Sequence, residues 1–430
     1  MRTDSSIRRM PWALLLLCIA TLLANGSAFA QHNTASPYSM YGIGVLTPKE
    51  DAASAALGHS SIALASSEWV NISNPAGINQ LDSLAFYFTF NLKYFYARHE
   101  IGYDHRSMYK ANLDGLCMAF RGNKYLTFAF GYSPFSAVGY NITQKRNIVG
   151  SDYWYDVTHK GSGGLSQAYF NMALTLFDHL TIGGNFSVLW GTIERKEVAD
   201  FAYATDGVTY LGGEVIHNER KYSLNNIYWE VGLQYDFNIG KNNFRLGAVY
   251  NPKKWLHTSF DHIIYNSVSS ELDSDDPTPD RFKVPQAYGA GLTWKRGPYM
   301  VTFEYKRSEW SDIPNTKFNE AIPYRDSYTY SGGFEFAPGK PDDPFYKRMR
   351  YRLGGYWGKD YIDVTGLDMD LGGVTAGLSI PFGRTKNAIT ISYEHQERGV
   401  NSGGMVKETN KIFKFGVNIR EIWFLKSKFD

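Results

Sequence analysis

The sequence predicts an all-β protein: a membrane-spanning 14-stranded antiparallel β-barrel with an N-terminal hatch, or plug, inside its lumen. Three observations predict it. Aromatic residues are abundant, with 31 Tyr, 27 Phe and 10 Trp among 430 residues, and outer-membrane barrels carry aromatic girdles at both membrane surfaces. From residue 83 onward, apolar and polar residues alternate with the period of a strand that has one apolar face. Short and long connections also alternate between these segments, as in barrels with turns at one end and loops at the other.

The first 30 residues have the organisation of a secretory signal peptide. Its parts are, in order, the basic residues Arg2, Arg8 and Arg9, the apolar run Trp12–Ala24 and the small-x-small site Ala28-Phe29-Ala30. Cleavage near Ala30 leaves a single cysteine, Cys117, so neither an internal disulfide nor a cysteine-based metal cluster is expected. Beyond this segment no apolar run approaches the roughly 20 residues of a spanning helix.

Residues 31–82 are predicted to form an extended lead-in followed by the hatch, and residues 83–430 the barrel. The stretch Ser54–Asp82 is rich in small residues and matches neither an amphipathic helix nor an alternating strand. It contains the hatch motif Asn74-Pro75-Ala76-Gly77. Pro75 fixes its own φ and holds Asn74 extended, while Gly77 permits a positive φ. The motif therefore predicts a tight turn at the foot of the first strand more strongly than a ligand contact.

Fourteen alternating segments are predicted to be the wall strands. They are 83–98, 111–121, 124–134, 165–177, 180–194, 224–237, 243–259, 286–295, 298–308, 326–337, 348–359, 370–382, 387–397 and 410–424. Most of them approach the ten or so residues that a tilted membrane strand needs. The longest connections, 135–164, 195–223, 260–285 and 309–325, all follow odd-numbered strands, so we expect them to be loops on the external side.

The polar faces of these strands carry charges of both signs, which we expect to pair across the lumen and hold it closed. They are Lys93, Glu230, Asp236, Arg245, Glu304, Lys306, Glu335, Arg350, Arg352, Glu394, Lys414 and Arg420. The formal net charge of the chain is only +2, and no basic patch or acidic tail stands out. Nucleic acid is therefore not an expected partner.

No motif predicts an enzyme, a cofactor or a metal site. The acidic run Asp273–Asp280 lacks the glycine and the final glutamate of an EF-hand, so a solvated external loop is the preferred interpretation. The histidines show no H-x-x-H or H-E-x-x-H spacing, and no nucleophile elbow, P-loop or dinucleotide fingerprint occurs. We therefore expect no catalytic residues, no cofactor and no bound metal.

The stretch LGHSSIALASSEWVNISNPAG resembles the hatch of the FadL-like outer-membrane transporters of long-chain fatty acids and other hydrophobic compounds. That family has fourteen strands and an Asn-Pro-Ala motif in its hatch. Further stretches are similar in position and kind: Gly131–Phe135, Val284–Gln286, Glu309–Asp312 and Arg352–Tyr356. The lead-in SPYSMYGIG and the ending EIWFLKSKFD resemble the Bacteroidetes branch, although the last residue, Asp430, departs from the usual aromatic one.

The resemblance implies a Gram-negative outer-membrane channel for passive uptake of small hydrophobic compounds such as long-chain fatty acids. The implied exit is a lateral opening at a kink in the third strand, where Gly131, Pro134, Phe135, Val138 and Gly139 are the candidate gate. The simpler interpretation is that Pro134 only ends the third strand. Membrane lipid and a hydrophobic ligand are the implied partners. The alternative is a non-transporting barrel that serves as a structural or shuttle subunit of an outer-membrane assembly, with other outer-membrane proteins as partners.

Overall fold

The structure, a computed structural model, describes residues 34–422 apart from 207–212, 267–272, 315–323, 340–342, 364–368, 383–385 and 404. For 202–204 and 273–278 it describes the backbone only. The predicted signal peptide, its cleavage site and the C-terminal Asp430 lie outside these residues. Among the described residues, no helix is long and apolar enough to cross a membrane.

One continuous antiparallel sheet closes on itself to form the barrel, because the last strand pairs with the first strand of the wall. Its strands are β2 (Ala85–Ile101), β3 (Asp104–Arg121), β4 (Leu126–Asn147), β5 (Trp154–Leu176), β6 (Leu180–Thr205), β7 (Val215–Ile239), β8 (Asn242–Asn251), β9 (Lys254–Asn266), β10 (Asp273–Val284), β11 (Ala287–Arg296), β12 (Tyr299–Ser308), β13 (Ser327–Phe336), β14 (Arg350–Lys359), β15 (Asp370–Phe382), β16 (Asn387–Arg398) and β17 (Lys407–Ile422). β8 continues into β9 past Pro252, and β10 continues into β11 past Pro285. Counting each interrupted pair once gives fourteen wall strands, so the predicted fold class is confirmed.

Alternation along the strands sorts side chains between the outside and the inside of the barrel. In β7, Ile227 is 59% exposed and Leu233 is 42% exposed, whereas Tyr228 and Gln234 are buried. Leucine, phenylalanine and tryptophan side chains of other strands share this outward exposure. An apolar outer belt with polar residues facing inward is the arrangement that a lipid bilayer requires of a barrel.

The wall is much taller on one side than on the other. β5, β6 and β7 contain 23, 26 and 25 residues, whereas β12, β13 and β14 contain 10 residues each. At about 3.3 Å per residue and the usual tilt, the excess corresponds to roughly 30 Å of additional sheet. The expectation of long loops over 135–164, 195–223 and 260–285 is therefore wrong, since most of these residues extend the strands. The run Asp273–Asp280 belongs to β10, and it is not a loop.

The N-terminal segment has little regular structure. We call residues 34–49 the lead-in and residues 50–82 the hatch. Their elements are a 3-10 turn at Pro37–Met40, the two-residue strand β1 (Val45–Leu46), the helix α1 (Ala52–Ala55) and a 3-10 turn at Pro75–Ile78. The turn Pro75–Ile78 packs on β5, β6 and β7, while α1 packs on β15, β16 and β17. The hatch thus contacts well-separated parts of the wall.

Pairing between β3 and β4 covers only part of their length. Leu116–Arg121 of β3 pair with Thr127–Tyr132 of β4, and among the described residues neither strand pairs with the other beyond that point. We call the stretches over which β3 and β4 do not pair with each other, residues 104–115 and 133–147, the seam. β1 occupies the lower part of the seam, where Val45 and Leu46 pair with Ala137 and Ser136.

Candidate functional site: the plugged lumen

The hatch motif forms a capped turn at the inner wall. Asn74 precedes the turn Pro75–Ile78, and its side-chain oxygen accepts a hydrogen bond from the backbone N–H of Ala76 at 2.9 Å. The side-chain nitrogen of Asn74 donates to the carbonyl of Ile62 at 2.7 Å. Pro75 is at the start of the turn, where its missing N–H costs nothing. The motif therefore joins two parts of the hatch, and the structure gives it no catalytic geometry.

Glycines in the wall let the hatch backbone come close. A side chain at Gly183 would place its Cβ 2.2 Å from the carbonyl carbon of Pro75, and one at Gly232 would lie 1.9 Å from Oδ1 of Asn74. Both separations are far below van der Waals contact. These wall positions must therefore lack a side chain for the hatch to occupy its place.

Two wall side chains bind the backbone of the hatch directly. One carboxylate oxygen of Glu304 accepts hydrogen bonds from the backbone N–H groups of Ser61 and Ile62, both at 2.6 Å. Gln234 donates from its side-chain nitrogen to the carbonyls of Ile62 and Leu64, both at 2.9 Å. Backbone groups that have no partner in a helix or sheet are thereby satisfied inside the barrel.

A buried network of charges holds the first turn of the hatch. Nζ of Lys414 lies 2.7 Å from Oε1 of Glu50 and 3.0 Å from Oδ2 of Asp114. Nδ1 of His59 lies 2.8 Å from Oε1 of Glu50, and its Nε2 lies 3.2 Å from Oε1 of Glu394. Lys93 lies 3.5 Å from the other oxygen of Asp114 and completes the set. With His59 protonated, three positive and three negative charges balance.

Each of the twelve predicted polar-face charges lies within ion-pair distance of an opposite charge, but the wall-to-wall pairs of the described residues join one strand or strands that are neighbours or next-neighbours in the sheet, so the prediction that they pair across the lumen is wrong. The wall-to-wall pairs involve Lys93–Asp114, Arg245–Asp236, Lys306–Glu304, Arg350–Glu335 and Arg352–Glu335. The remaining contacts are between the wall and the N-terminal segment: Glu230–Lys49, Glu394–His59, Arg350–Glu68, Lys414–Glu50 and Arg420–Asp82. Much of the pairing thus fixes the plug to the wall instead of spanning an open lumen.

The charge states of the hatch residues follow from these neighbours. Burial alone would lower the pKa of His59, but the carboxylates of Glu50 and Glu394 on either side raise it to about 10. Burial would raise the pKa of Glu50, and His59 with Lys414 instead holds that pKa well below its usual range. Both residues are therefore charged near neutral pH, and the network is a set of true ion pairs.

Aromatic packing closes the opposite end of the lumen. The ring of Trp310 stacks on Tyr361 with centroids 4.0 Å apart, and Tyr324 lies against both rings. Tyr38 and Ile43 of the lead-in belong to the same buried cluster. The hydroxyl of Tyr38 donates to the carbonyl of Val406 at 2.6 Å. The lead-in therefore packs among residues that follow β12, β14 and β16.

A cavity of about 550 Å³ lies between these two closures. Its apolar lining includes Phe95, Phe135 and Tyr228, and its charged lining includes Lys93 and Glu230. Charged side chains of the hatch and of the wall lie among these apolar residues. Among the described residues, no group of His, Cys, Asp and Glu could hold a metal ion.

All the candidate gate residues except Gly131 lie at the seam. Pro134 pairs with Ser166 of β5, and a register shift follows before Ser136. β4 continues past Pro134 to Asn147, so the simpler interpretation, that the proline ends the strand, is wrong. The lead-in covers the next residues: the backbone N–H of Thr47 donates to the carbonyl of Phe135, and that of Gly139 donates to Oγ of Ser39, both at 3.0 Å.

Gly131 and Val138 are packed differently. A Cβ at Gly131 would lie 2.1 Å from the carbonyl oxygen of Leu116 in β3, so this position is part of the paired wall below the seam. Val138 is fully buried in the aromatic cluster with Tyr38 and Ile43. The structure therefore brings Phe135, Val138 and Gly139 to the seam beneath the lead-in and leaves Gly131 in the paired wall below it; whether these residues form a gate stays a prediction.

Sequence reasoning missed the residues of the plug that hold it. Glu50 and His59 were not predicted as site residues, nor was Trp310 as part of a closure. A signal for His59 does exist, because an isolated titratable group in a segment of small, uncharged residues needs a buried partner. Glu50 stands between Lys49 and Asp51 and gave no such signal. Trp310 gave no comparable signal among so many aromatic residues.

The fold and the filled lumen define a class: closed fourteen-stranded barrels of the outer-membrane type, with an N-terminal segment inside. The BamG family model matches residues 10–430, and the chain belongs to the BamG family. A search of curated proteins finds no match.

Solved structures with the same fold include channels and transporters of hydrocarbons. A Pseudomonas aeruginosa FadL homologue is 12% identical, with 88% of this chain and 99% of that chain covered and a TM-score of 0.58. The Pseudomonas putida toluene transporter TodX is 16% identical, with 89% and 100% covered and a TM-score of 0.57. The CymD monoaromatic hydrocarbon channel is 14% identical, with 88% and 98% covered and a TM-score of 0.55. These similarities show the fold, and with the apolar outer belt they support an outer-membrane location.

Proposed function

We propose that this chain is a sealed barrel that serves as a structural subunit of a multiprotein outer-membrane assembly. The observation that carries the proposal is the ion pairing between hatch and wall at Glu50, His59 and Lys414. Removing one member of a buried pair typically costs about 3–5 kcal/mol, so displacing the hatch, which separates several pairs at once, is strongly unfavourable. A lumen held closed in this way favours a barrel that functions through contacts between its outer surfaces and other proteins.

The tall side of the wall supports a role in binding other proteins. The upper halves of β4 to β7 extend beyond the height of β12 to β14, and their polar residues are mostly exposed on β4 and partly exposed on β5, β6 and β7. A transporter gains nothing from roughly 30 Å of sheet standing above the bilayer. For a subunit, the extended sheet is a rigid surface for contacts with partners. Loops of the same length would lose conformational entropy when they became ordered on binding.

The experiment is affinity purification of the tagged chain from outer membranes solubilised in a mild detergent. We expect partner proteins in stoichiometric amounts that stay bound through size-exclusion chromatography. A tagged, unrelated outer-membrane barrel at the same expression level is the control for co-extracted proteins. A chain that purifies alone, in several mild detergents and after cross-linking in intact cells, contradicts the proposal.

A second candidate is passive uptake of small hydrophobic compounds, long-chain fatty acids among them, with lateral exit into the membrane. The fold shared with TodX and the FadL homologue favours it, as do the 550 Å³ cavity and the interrupted pairing of β3 and β4. The charged cavity lining and the lead-in across the seam weigh against it. A strain that lacks the chain should take up a fluorescent fatty acid at an unchanged rate if the barrel is sealed and at a reduced rate if it is a channel.

A further inference from the structure

The outer part of the seam carries a backbone edge that no described residue covers. Strand β4 pairs with β5 as far as Asn147 on one edge. On its other edge, β1 and Ser39 cover it only as far as Gly139. Residues 140–147 therefore present an open strand edge, and most of them are exposed on their side chains as well.

The orientation of the backbone groups along this edge follows from the contacts already described. The carbonyl of Phe135 and the N–H of Gly139 both point toward the lead-in. Backbone groups alternate between the two edges of a strand, and pairing with β5 runs without a further shift from Ser136 to Asn147. The free N–H and C=O groups are therefore those of Asn141, Thr143, Lys145 and Asn147.

The protein itself already adds a strand at this edge, since β1 pairs with Ser136 and Ala137 directly below the open residues. An open edge of this length is a template for another strand, and proteins commonly cover or block such edges. Here no proline or bulge interrupts residues 140–147. The edge is thus shaped to accept an extended segment above the one that β1 supplies.

The charges beside the open edge indicate the chemistry of that segment. Arg106 lies on the facing part of β3, and Lys145 and Arg146 lie on β4, against a single acidic residue, Asp104, in the exposed part of the seam. Opposite charges on adjacent strands stabilise pairing, whereas like charges oppose it. An acidic strand is therefore favoured over a basic one.

We propose that residues 140–147 of β4 accept an extended, acidic segment of a partner protein as an added β-strand. The inference rests on the proposed function as an assembly subunit and names the surface and the partner chemistry. Main-chain hydrogen bonds to the odd-numbered residues supply the affinity, and the basic side chains supply the preference for acidic sequences.

The test uses the full-length protein in detergent micelles and a fluorescein-labelled peptide of about eight residues with alternating Glu and Val or Thr, a typical strand length. Thr143→Pro removes a seam-facing N–H without removing a bond to β5, and Thr143→Val is the matched control that keeps the N–H. We expect Thr143→Pro to weaken peptide binding about ten-fold or more, and Thr143→Val to change it less than about two-fold. Equal binding by the two variants overturns the proposal.

Two further measurements separate the alternatives. On peptide binding, the amides of Thr143 and Lys145 should become protected from hydrogen exchange, while those of Gln144 and Arg146 should not change. If inorganic phosphate displaces the peptide and amide protection is absent, the basic residues form an anion site and strand addition is overturned. If the Thr143→Pro protein keeps its stoichiometric partners in the membrane extract, only this inference fails, whereas the absence of any partner overturns the proposed function.

Discussion

The hatch and the lead-in fill the same lumen by different chemistry. The hatch is held by ion pairs and backbone hydrogen bonds to wall residues such as Lys414 and Glu304. The lead-in is held mainly by aromatic packing around Trp310 and Tyr361. Ion pairs fix one relative position of the charged groups, and their contribution to stability depends on pH. The stabilisation from apolar packing is roughly proportional to the buried area and does not depend on pH. The two ends of the plug should therefore respond differently to mutation and to conditions.

The largest effect is expected for Lys414→Met, because this change leaves Glu50 and Asp114 buried without their shared cation. We expect a loss of about 4 kcal/mol in the free energy of unfolding, measured by denaturant titration in detergent micelles. The exposed Lys295→Met is the control and should change stability by less than about 0.5 kcal/mol. A Lys414 variant as stable as that control would show that the network does not hold the hatch.

Trp310→Ala should destabilise the other end by about 3 kcal/mol, since it removes a fully buried ring from its stack with Tyr361. We expect faster proteolysis within the segments around Trp310 and Tyr361, with the hatch still protected. Trp310→Phe keeps an aromatic ring and should lose about half as much. Equal loss of protection in the hatch would show that the two closures form one cooperative unit.

The next effect is the change with pH in the free energy of unfolding that comes from the charged residues of the hatch. Because the pKa of His59 is raised to about 10, its stabilisation is complete below the ordinary pKa near 6.5 and is lost as the pH rises toward 10. Glu50, with its lowered pKa, stabilises above its ordinary pKa near 4.3 and loses this contribution as the pH falls. We expect the free energy of unfolding to fall steadily as the pH rises from 6.5 to about 10, measured by denaturant titration in detergent micelles.

His59→Asn tests the assignment of this pH dependence. Asn tolerates the positive φ of 63° at this position and cannot take up a proton. The variant should be less stable at pH 6.5, and its stability should change little up to pH 10. If the variant retains the slope of the unchanged protein, another group titrates there.

Pro134→Val should have the smallest effect, below about 1 kcal/mol, because β4 already continues through this position. If the barrel is sealed, the variant leaves uptake of a fluorescent fatty acid unchanged. If the seam is a lateral exit, restoring a strand former there should reduce uptake. The measurement is the uptake rate in cells that carry equal amounts of either protein.

The sequence could predict the strands because one face of each is apolar, and their periodicity is visible wherever lipid covers it. It could not show that 135–164 and 195–223 are mostly strand, because polar residues occur on both faces there and the buried apolar residues, such as Val138, Val157 and Tyr222, are too widely spaced to show a period of two.

The turn at Asn74 was predictable from the local properties of proline. The positive φ expected of Gly77 and the place of the turn at the foot of the first strand were wrong, since Gly77 has no positive φ and the turn packs on β5, β6 and β7. The partners of Glu50 and Glu304 could not be predicted, because residues that meet across a barrel lie hundreds of positions apart.

The most direct test of a sealed lumen is hydrogen exchange of the backbone amides of Ser61 and Ile62, which Glu304 binds at 2.6 Å. The peptide that contains them should exchange as slowly as the strands of the barrel wall in the protein reconstituted in lipid nanodiscs. Glu304→Gln should speed that exchange while the wall strands stay unchanged. Exchange of this peptide at the rate of an exposed loop in the unchanged protein would contradict the account, because the hatch would then leave its place readily.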